Sequence, residues 1–319
     1  MPASLPPLPG AAMALIELLL PRCSFPAAGA AVTCAVSGGA DSTALAVLAV
    51  AAGCRVEMVH VDHGLRPGSA DEAQVVARTA DRLGVPARSV RVEVPPGPNL
   101  EARARAARYA VLPADVLTGH TADDQAETVL VNLLRGAATS GLAGMRPGAR
   151  RPLLGLRRVE TVEVCAAAGL AVVDDESNRD LRFVRNQVRH RALPMLAEIS
   201  GRDPVPVLVR QAELLRDDDN LLRELASSFD VTDARALAAA PRPLARRAVR
   251  AWLSEDDAER HPPDLATVDR VLEVAAGRRL ACEVGGGRRV ERHRQRLELV
   301  PADTCREPTP PATGGPSVG

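Results

Sequence analysis

Apolar positions between residues 30 and 120 fall into short runs separated by segments of helical period. The runs 31–36, 56–61, 90–94 and 114–118 predict β-strands, and 43–52, 71–83 and 100–112 predict the helices between them. Strand–helix alternation predicts parallel strands joined by crossovers, hence an α/β fold with a doubly wound parallel sheet. The earlier apolar run 11–20 contains Glu17 and predicts a short helix packed on that sheet domain. It is too short to span a bilayer and has no basic residue before it to make a signal peptide. Beyond residue 200 the pattern changes. Helices are predicted at 205–226, 234–253 and 264–275, and a β-hairpin or strand pair at 288–300, with prolines near the helix starts. A boundary is therefore expected in Ser200-Gly201-Arg202-Asp203-Pro204. The organisation that follows is a helical lead-in (1–29), an α/β domain (30–199), a smaller, mainly helical domain (200–302) and a disordered Pro/Gly/Ser/Thr-rich tail (303–319).

Composition narrows the chemistry. A chain of 319 residues suits about two domains. Its 40 basic and 40 acidic residues cancel, which excludes a simple polycation that coats nucleic acid. Aromatic residues make up 2%, too few for a base-stacking platform. The sequence contains no lysine, so a Walker-type loop, a Schiff-base lysine and a lysine general base are all absent. No two of the six cysteines form a C-x-x-C pair, a scatter that suits reduced thiols in a cytoplasm.

In an open α/β sheet the ligand lies beyond the carboxyl ends of the strands, and the unusual polar clusters follow predicted strands. The first is Ser37-Gly38-Gly39-Ala40-Asp41-Ser42, a diglycine corner leading into a helix. Open N–H groups at the helix start and the two serine hydroxyls make an anion site. A carboxylate there would repel a phosphate unless a divalent cation joined them, so Asp41 is assigned to Mg²⁺ shared with phosphate oxygens. The alternative is a glycine turn with Asp41 and Ser42 as plain caps. The second cluster, His60-Val61-Asp62-His63-Gly64-Leu65-Arg66, follows the next strand. Its histidine spacing, with no further ligand, favours a structural loop at the nucleotide edge over a metal site. Arg105 and Arg108 share a face of the next helix, as an anion-binding pair or as a solvated basic face.

Asp123, Asp124 and Glu127 crowd the start of the helix after the fourth strand. Capping explains some of this. Asp124 and Glu127 share a face, however, and suit an ammonium group, which points to an amine substrate. Arg182, Arg185 and Arg189 fall at i, i+3 and i+7, predicting one helical stripe in a segment nearly free of acids. Two further basic patches suit phosphate contacts. One is the stripe Arg242, Arg246 and Arg250; the other is 278–296, which includes Arg289 and holds seven arginines against two acids.

The loop Ser37–Ser42 resembles the SGGxDS loop of the ATP pyrophosphatase (PP-loop) superfamily, which cradles pyrophosphate without a lysine. Six blocks taken in order resemble the tRNA(Ile)-lysidine synthetase family: SGGADSTAL, HVDHGLR, NLEARARAARYAVL, TGHTADDQAETVLVNLLRGAATSGLAGM, RPLLGLRR and DDESNRDLRFVRNQVRHRALPML. They cover most of residues 32–196; residues 200–300 resemble the family's helical substrate-binding domain only in length and character. Ala138 and Val173 depart from the pattern, at places where the family has a glycine and an aromatic residue.

The resemblance implies a cytoplasmic ligase that uses ATP and Mg²⁺. It would adenylate C2 of the wobble cytidine of tRNA(Ile) with a CAU anticodon and then join free L-lysine to that carbon. Asp41, Asp124, Arg105 and Arg185 would be catalytic. Ser37, Gly38, Gly39, Ala40, Asp41, Ser42 and His63 would bind the nucleotide. Asp124, Glu127 and Arg189 would bind lysine, and Arg242, Arg246, Arg250 and Arg289 would bind tRNA. A homodimer is compatible with this reading. The alternatives are a cytidine thiolation enzyme of the same superfamily, an amidating ligase and a non-enzymatic ATP-binding module. The missing C-x-x-C pair argues against the first and the missing glutaminase half against the second. The acids and arginines around residues 124–189, which a sensor would not need, argue against the third.

Overall fold

The computed structural model describes residues 8–62, 64, 69–94, 97, 100–174, 176–255 and 263–302. They form two compact units that divide after Arg216. The division falls inside one long helix, not at the expected Ser200–Pro204 corner. Val205, Leu208 and Val209 explain the shift, because they pack with Ala122, Ala126, Val188 and Leu193 and so tie the start of that helix to the first unit.

The first unit is built on a parallel sheet of β1 (Ala31–Ala35), β2 (Arg55–Asp62) and β3 (Ala87–Arg91), in that order. Ala31 lies opposite Arg55, and Met58 opposite Ala87. The expected fourth strand is a single parallel bridge between Leu117 and Cys34. Leu117 N–H donates to Thr33 O and its carbonyl accepts from Ala35 N–H, at 2.9 and 3.0 Å. The third strand lies three residues earlier than its apolar run predicts. It is mostly exposed on an edge, where packing enforces the period-two pattern only weakly.

Helices α1 (Gly10–Leu19), α2 (Ala40–Ala51), α3 (Ser69–Leu83) and α4 (Leu100–Ala110) match the predicted helices closely. Ile16 and Leu19 of α1 are buried in the main core, so the lead-in belongs to the first unit. In α2 every residue from Thr43 to Val50 is buried. A helix apolar on all sides must be central, and α2 packs on β1, β2, α3 and α7 (Arg158–Ala167). After α5 (Ala122–Leu134) and the short α6 (Thr139–Leu142) comes an irregular stretch, then α7.

The segment carrying the arginine stripe is α8 (Val184–Gln187), a widened π turn (Val188–Ala192) and α9 (Leu193–Ser200). Pro194 supplies the reason for the π turn, since it has no N–H to continue an i→i−4 ladder. Arg182 precedes α8 and pairs with Asp180 on the surface, so the stripe reduces to Arg185 and Arg189.

Helix α10 (Pro204–Ser227) crosses the division between the units. The second unit contains α11 (Ala234–Ala239), α12 (Arg242–Ser254), α13 (Leu265–Ala275) and an antiparallel meander of β4 (Ala281–Gly285), β5 (Arg288–His293) and β6 (Arg296–Pro301). The single helix expected at 234–253 is broken at Pro241, and Ala240 is extended as a residue before proline must be. β4 escaped the sequence pattern because its inward face offers mainly Cys282. The β5–β6 turn sets Arg294 and Gln295 at positive φ, the demand of a two-residue hairpin. His63, Asp175, the 303–319 tail and residues 1–7 of the lead-in lie outside the described residues.

Candidate active site

The site forms where the N-termini of α2, α5 and α7 converge. Gly38 opens the diglycine corner at φ +87°, a conformation that favours glycine, and a Cβ there would lie 3.0 Å from Val173 Cγ2. Val173 also donates its N–H to Gly38 O at 2.9 Å. The departure from the family pattern thus still covers the loop. Ser42 Oγ accepts from Ser37 N–H at 3.1 Å and donates to Gly39 O at 2.9 Å, which holds the corner closed. Gly39 is the N-cap of α2, and Ala40, Asp41 and Ser42 form its first turn. As at any helix start, their N–H groups have no acceptor within the helix. Gly119 lets the chain after the Leu117 bridge close on this corner. A Cβ there would meet Asp41 O at 2.5 Å.

Asp41 projects from the first turn of α2 and accepts from Thr161 Oγ1 of α7 and, at 3.2 Å, from Arg158 Nε. Burial raises its pKa, opposed chiefly by the Arg158 charge. On α5, Asp124 serves twice. One oxygen closes a capping box with Thr121, whose N–H lies 2.8 Å away; the other accepts from Arg158 and Arg185, each at 2.9 Å. Burial pushes this carboxyl up, but Arg158 and Arg185 outweigh it and hold it below the usual range. Glu127 is fully buried and accepts from Arg158 at 3.0 Å, Arg185 at 2.8 Å and Arg189 at 2.7 Å. One guanidinium, Arg158, therefore touches all three carboxylates.

Asp123 faces elsewhere. It takes both arms of Arg157 at 3.0 Å and the Arg158 N–H at 2.8 Å, so it anchors the start of α7. Its carboxyl is pushed up by burial and pulled lower overall by Arg157 and Arg158. Three acids at helix N-termini suit the positive ends of the helix dipoles; two arginines at the start of α7 do not. The neighbouring acids make that placement tenable.

Arg105 is not within this cluster. Its guanidinium stacks 5.0 Å from the Tyr109 ring centroid, with Arg108 at 5.6 Å from the same ring. Burial depresses the Arg108 pKa and Arg105 lowers it further. His120 bonds Thr118 Oγ1 at 2.8 Å. Burial lowers its pKa to about 4 despite Asp124, helped by Arg185, Arg151 and Arg105, so it is neutral near pH 7.

In the second unit the expected stripe is partly countered from the next helix. Arg242 and Arg246 share Asp269 of α13, at 3.1 and 2.7 Å. Arg250 lies close enough to Asp264 to lower its pKa, after that carboxyl's own bonds to Thr267. Arg289 pairs with Glu291 on its own strand.

Arg158, Thr161 and His120 carried no role in the sequence reading. The signal for Arg158 was present: Arg157-Arg158 opens a helix, where a basic pair opposes the dipole. His120 stood inside a block noted only for its acids.

A short parallel sheet whose first strand runs through a diglycine corner into an acid-bearing helix defines a PP-loop protein. The PP-loop domain family matches residues 16–196 of this chain. A tRNA(Ile)-lysidine synthase of Nocardia farcinica is 42% identical over 304 residues, covering 89% of this chain and 95% of that one. One from Mycolicibacterium paratuberculosis is 47% identical over 236 residues, or 69% and 73% of the two chains. Among solved structures, the U34-tRNA thiolase NcsA of Methanococcus maripaludis, with its [4Fe-4S] cluster, superposes with a TM-score of 0.51. It covers 64% of this chain and 80% of its own at 17% identity, a likeness of fold. The chain belongs to the tRNA(Ile)-lysidine synthase family.

Proposed function

We propose that this protein joins free L-lysine to C2 of the wobble cytidine of tRNA(Ile) with a CAU anticodon. In the first step the C2 oxygen of cytidine attacks the α-phosphorus of ATP, and pyrophosphate leaves. In the second, the ε-amine of lysine attacks C2, AMP leaves with that oxygen, and the amine gives up a proton. The observation that carries the reading is the meeting of Asp41 with Asp124 and Glu127 on one guanidinium, in a chain related to lysidine synthases over most of its length.

The Ser37–Ser42 corner would receive the departing diphosphate through the first N–H groups of α2 and the two hydroxyls. Asp41 is the residue that would hold Mg²⁺. Its carboxylate already faces a cation, Arg158, beside the diglycine corner. A Mg²⁺ held mainly by phosphate oxygens needs only one or two protein carboxylates, and no group of three or more metal-binding side chains occurs among the described residues. When bound, Mg²⁺ would neutralise charge on the diphosphate.

Asp124 and Glu127 are assigned to the α-ammonium of lysine, and Arg189 or Arg185 to its carboxylate. The α-carbon end of lysine brings one charge of each sign, so it can enter a matched ion cluster by exchanging partners without leaving a buried charge unpaired. Arg105, with Arg108 beside it, is assigned to phosphate, and Arg242, Arg246, Arg250 and Arg289 to the tRNA backbone. No helix of the described residues is long and apolar enough to cross a membrane. A cytoplasmic location is part of the proposal and rests on the tRNA substrate.

The test is mass analysis of nucleosides after incubating the protein with tRNA, ATP, Mg²⁺ and lysine. A lysine adduct of cytidine is expected, with AMP and pyrophosphate as co-products. ADP with inorganic phosphate, or unmodified cytidine, would overturn the reading. Asp124→Asn should raise the KM for lysine far more than the KM for ATP; equal effects would remove Asp124 as a lysine ligand.

A further inference from the structure

A second concavity lies within the first unit, on the side of α5 away from the carboxylates. It has a volume of about 500 Å³. Ala122 and Gln125 line it, and on a helix they face roughly opposite to Asp124 and Glu127. The irregular stretch before α7 forms one wall. Gln125 fastens that wall to α5 by accepting from Met145 N–H at 2.7 Å and donating to Met145 O at 3.0 Å. The first half of α10 forms the other wall.

The lining is cationic. Arg22, Arg151, Arg157, Arg210 and Arg216 face a single acid, Glu213. Two of the five are matched by carboxylates outside the lining, Arg22 by Glu160 and Arg157 by Asp123 and Asp203. Arg216 donates to two carbonyl oxygens, of Ala143 and Met145. Arg151 likewise donates to a carbonyl, Arg146 O, and its Nε is buried without a partner. Burial lowers its pKa, assisted by Arg150 and Arg105. Apolar side chains share the lining: Pro152, Leu154, Pro206 and Val209.

Excess guanidinium charge beside apolar walls suits a ligand that joins phosphate to a flat ring. Free lysine would meet more repulsion than attraction for its two ammonium groups. We propose that this concavity takes a nucleotide of the RNA substrate other than the one being modified, with its phosphodiester on Arg210 and Arg151 and its base against the prolines. The volume lies within the range of about 300–1,000 Å³ found for small-ligand sites. Phosphate contacts of this kind fix the position of an RNA without reading its sequence. This inference rests on the proposed function, and it adds a tRNA contact on the catalytic unit, separate from the stripe on α12.

Arg210 and Glu213 are exposed, so charge can be changed there without opening the core. Arg210→Glu is expected to raise the KM for tRNA about tenfold and to reduce the salt dependence of RNA binding by about one or two phosphate contacts. Glu213→Arg should lower the same KM. The KM values for ATP and lysine should stay as in the unaltered protein. Arg55→Glu, at the far end of β2, makes the same change in overall charge and should leave the tRNA KM unchanged. An unchanged tRNA KM in Arg210→Glu, or an equal rise in Arg55→Glu, overturns the proposal. So does a rise in the ATP KM, which would make the concavity part of the nucleotide site. If the unaltered protein formed no lysine adduct, the proposed function would fall. Fluorescence anisotropy with a short anticodon stem-loop RNA would still decide this inference: lost affinity in Arg210→Glu supports it and equal affinity overturns it.

Discussion

Two clusters of arginine and acid, one in each unit, use the same chemistry to different ends. Around Glu127 three guanidiniums meet two carboxylates, with Asp41 a third on Arg158, and the Glu127 side chain is 0% exposed. Around Asp269 one carboxylate serves Arg242 and Arg246, whose side chains are 68% and 34% exposed. Buried charges must be matched nearly one for one, because an unpaired ion in a poorly solvated site is costly. That match suits a ligand that carries both signs, as the α-carbon end of a free amino acid does. Exposed charges need no such match. The second cluster keeps surplus positive charge, which suits a polyanion held at the surface.

That contrast can be broken at four places. The largest effect is expected at Asp41. Asp41→Ala should reduce adenylation, read as ATP–pyrophosphate exchange, by about 10²–10³-fold while tRNA affinity stays nearly intact. Activity like that of the unaltered protein would remove Asp41 from the phosphate site. Next comes Arg158→Ala, which leaves Asp41, Asp124 and Glu127 short of one shared cation. A loss of stability of about 3 kcal/mol is expected from denaturant unfolding; a change near zero would mean that the cluster is not tightly matched.

His120 sharpens the same point through pH. Its pKa is lowered from 6.5 to about 4 in the folded protein. The unfolded chain therefore takes up a proton first as pH falls. The linked stability is intact above about pH 6.5 and is lost as pH drops toward 4, by about 3 kcal/mol at most. Melting curves across that range should fall less steeply for His120→Gln than for the unaltered protein. Parallel curves would show that His120 is charged in the fold.

The smallest effect belongs to the second unit. Arg246→Glu with Arg250→Glu should weaken tRNA binding several-fold and flatten its dependence on salt, without shifting the KM for lysine. Binding that does not respond would assign that stripe to solvent.

Much of the catalytic unit was legible because its signals are local. The SGGADS corner needs glycine at a positive φ, and the buried run of α2 needs apolar residues on every side; both demands are written in consecutive residues. The second unit was less legible. Its small sheet packs through few side chains, so β4 left little pattern, and Pro241 divides a helix whose apolar period continues across the break.

The chain alone determined the parallel α/β unit, the diglycine corner that opens α2, and the placing of Asp124 with Glu127 on one helical face. These depend on spacings of a few residues. Only the tertiary structure decided which arginines face those acids. Arg158, 31 positions from Glu127, proved to be the shared partner, while Arg105 turned to Tyr109 and Arg182 to Asp180. Asp269, on a separate helix, likewise reduced the charge of a stripe that looks free along its own helix. Periodicity fixes which face of a helix a residue occupies. The packing of distant segments fixes what that face meets, and Coulomb attraction acts on that separation in space.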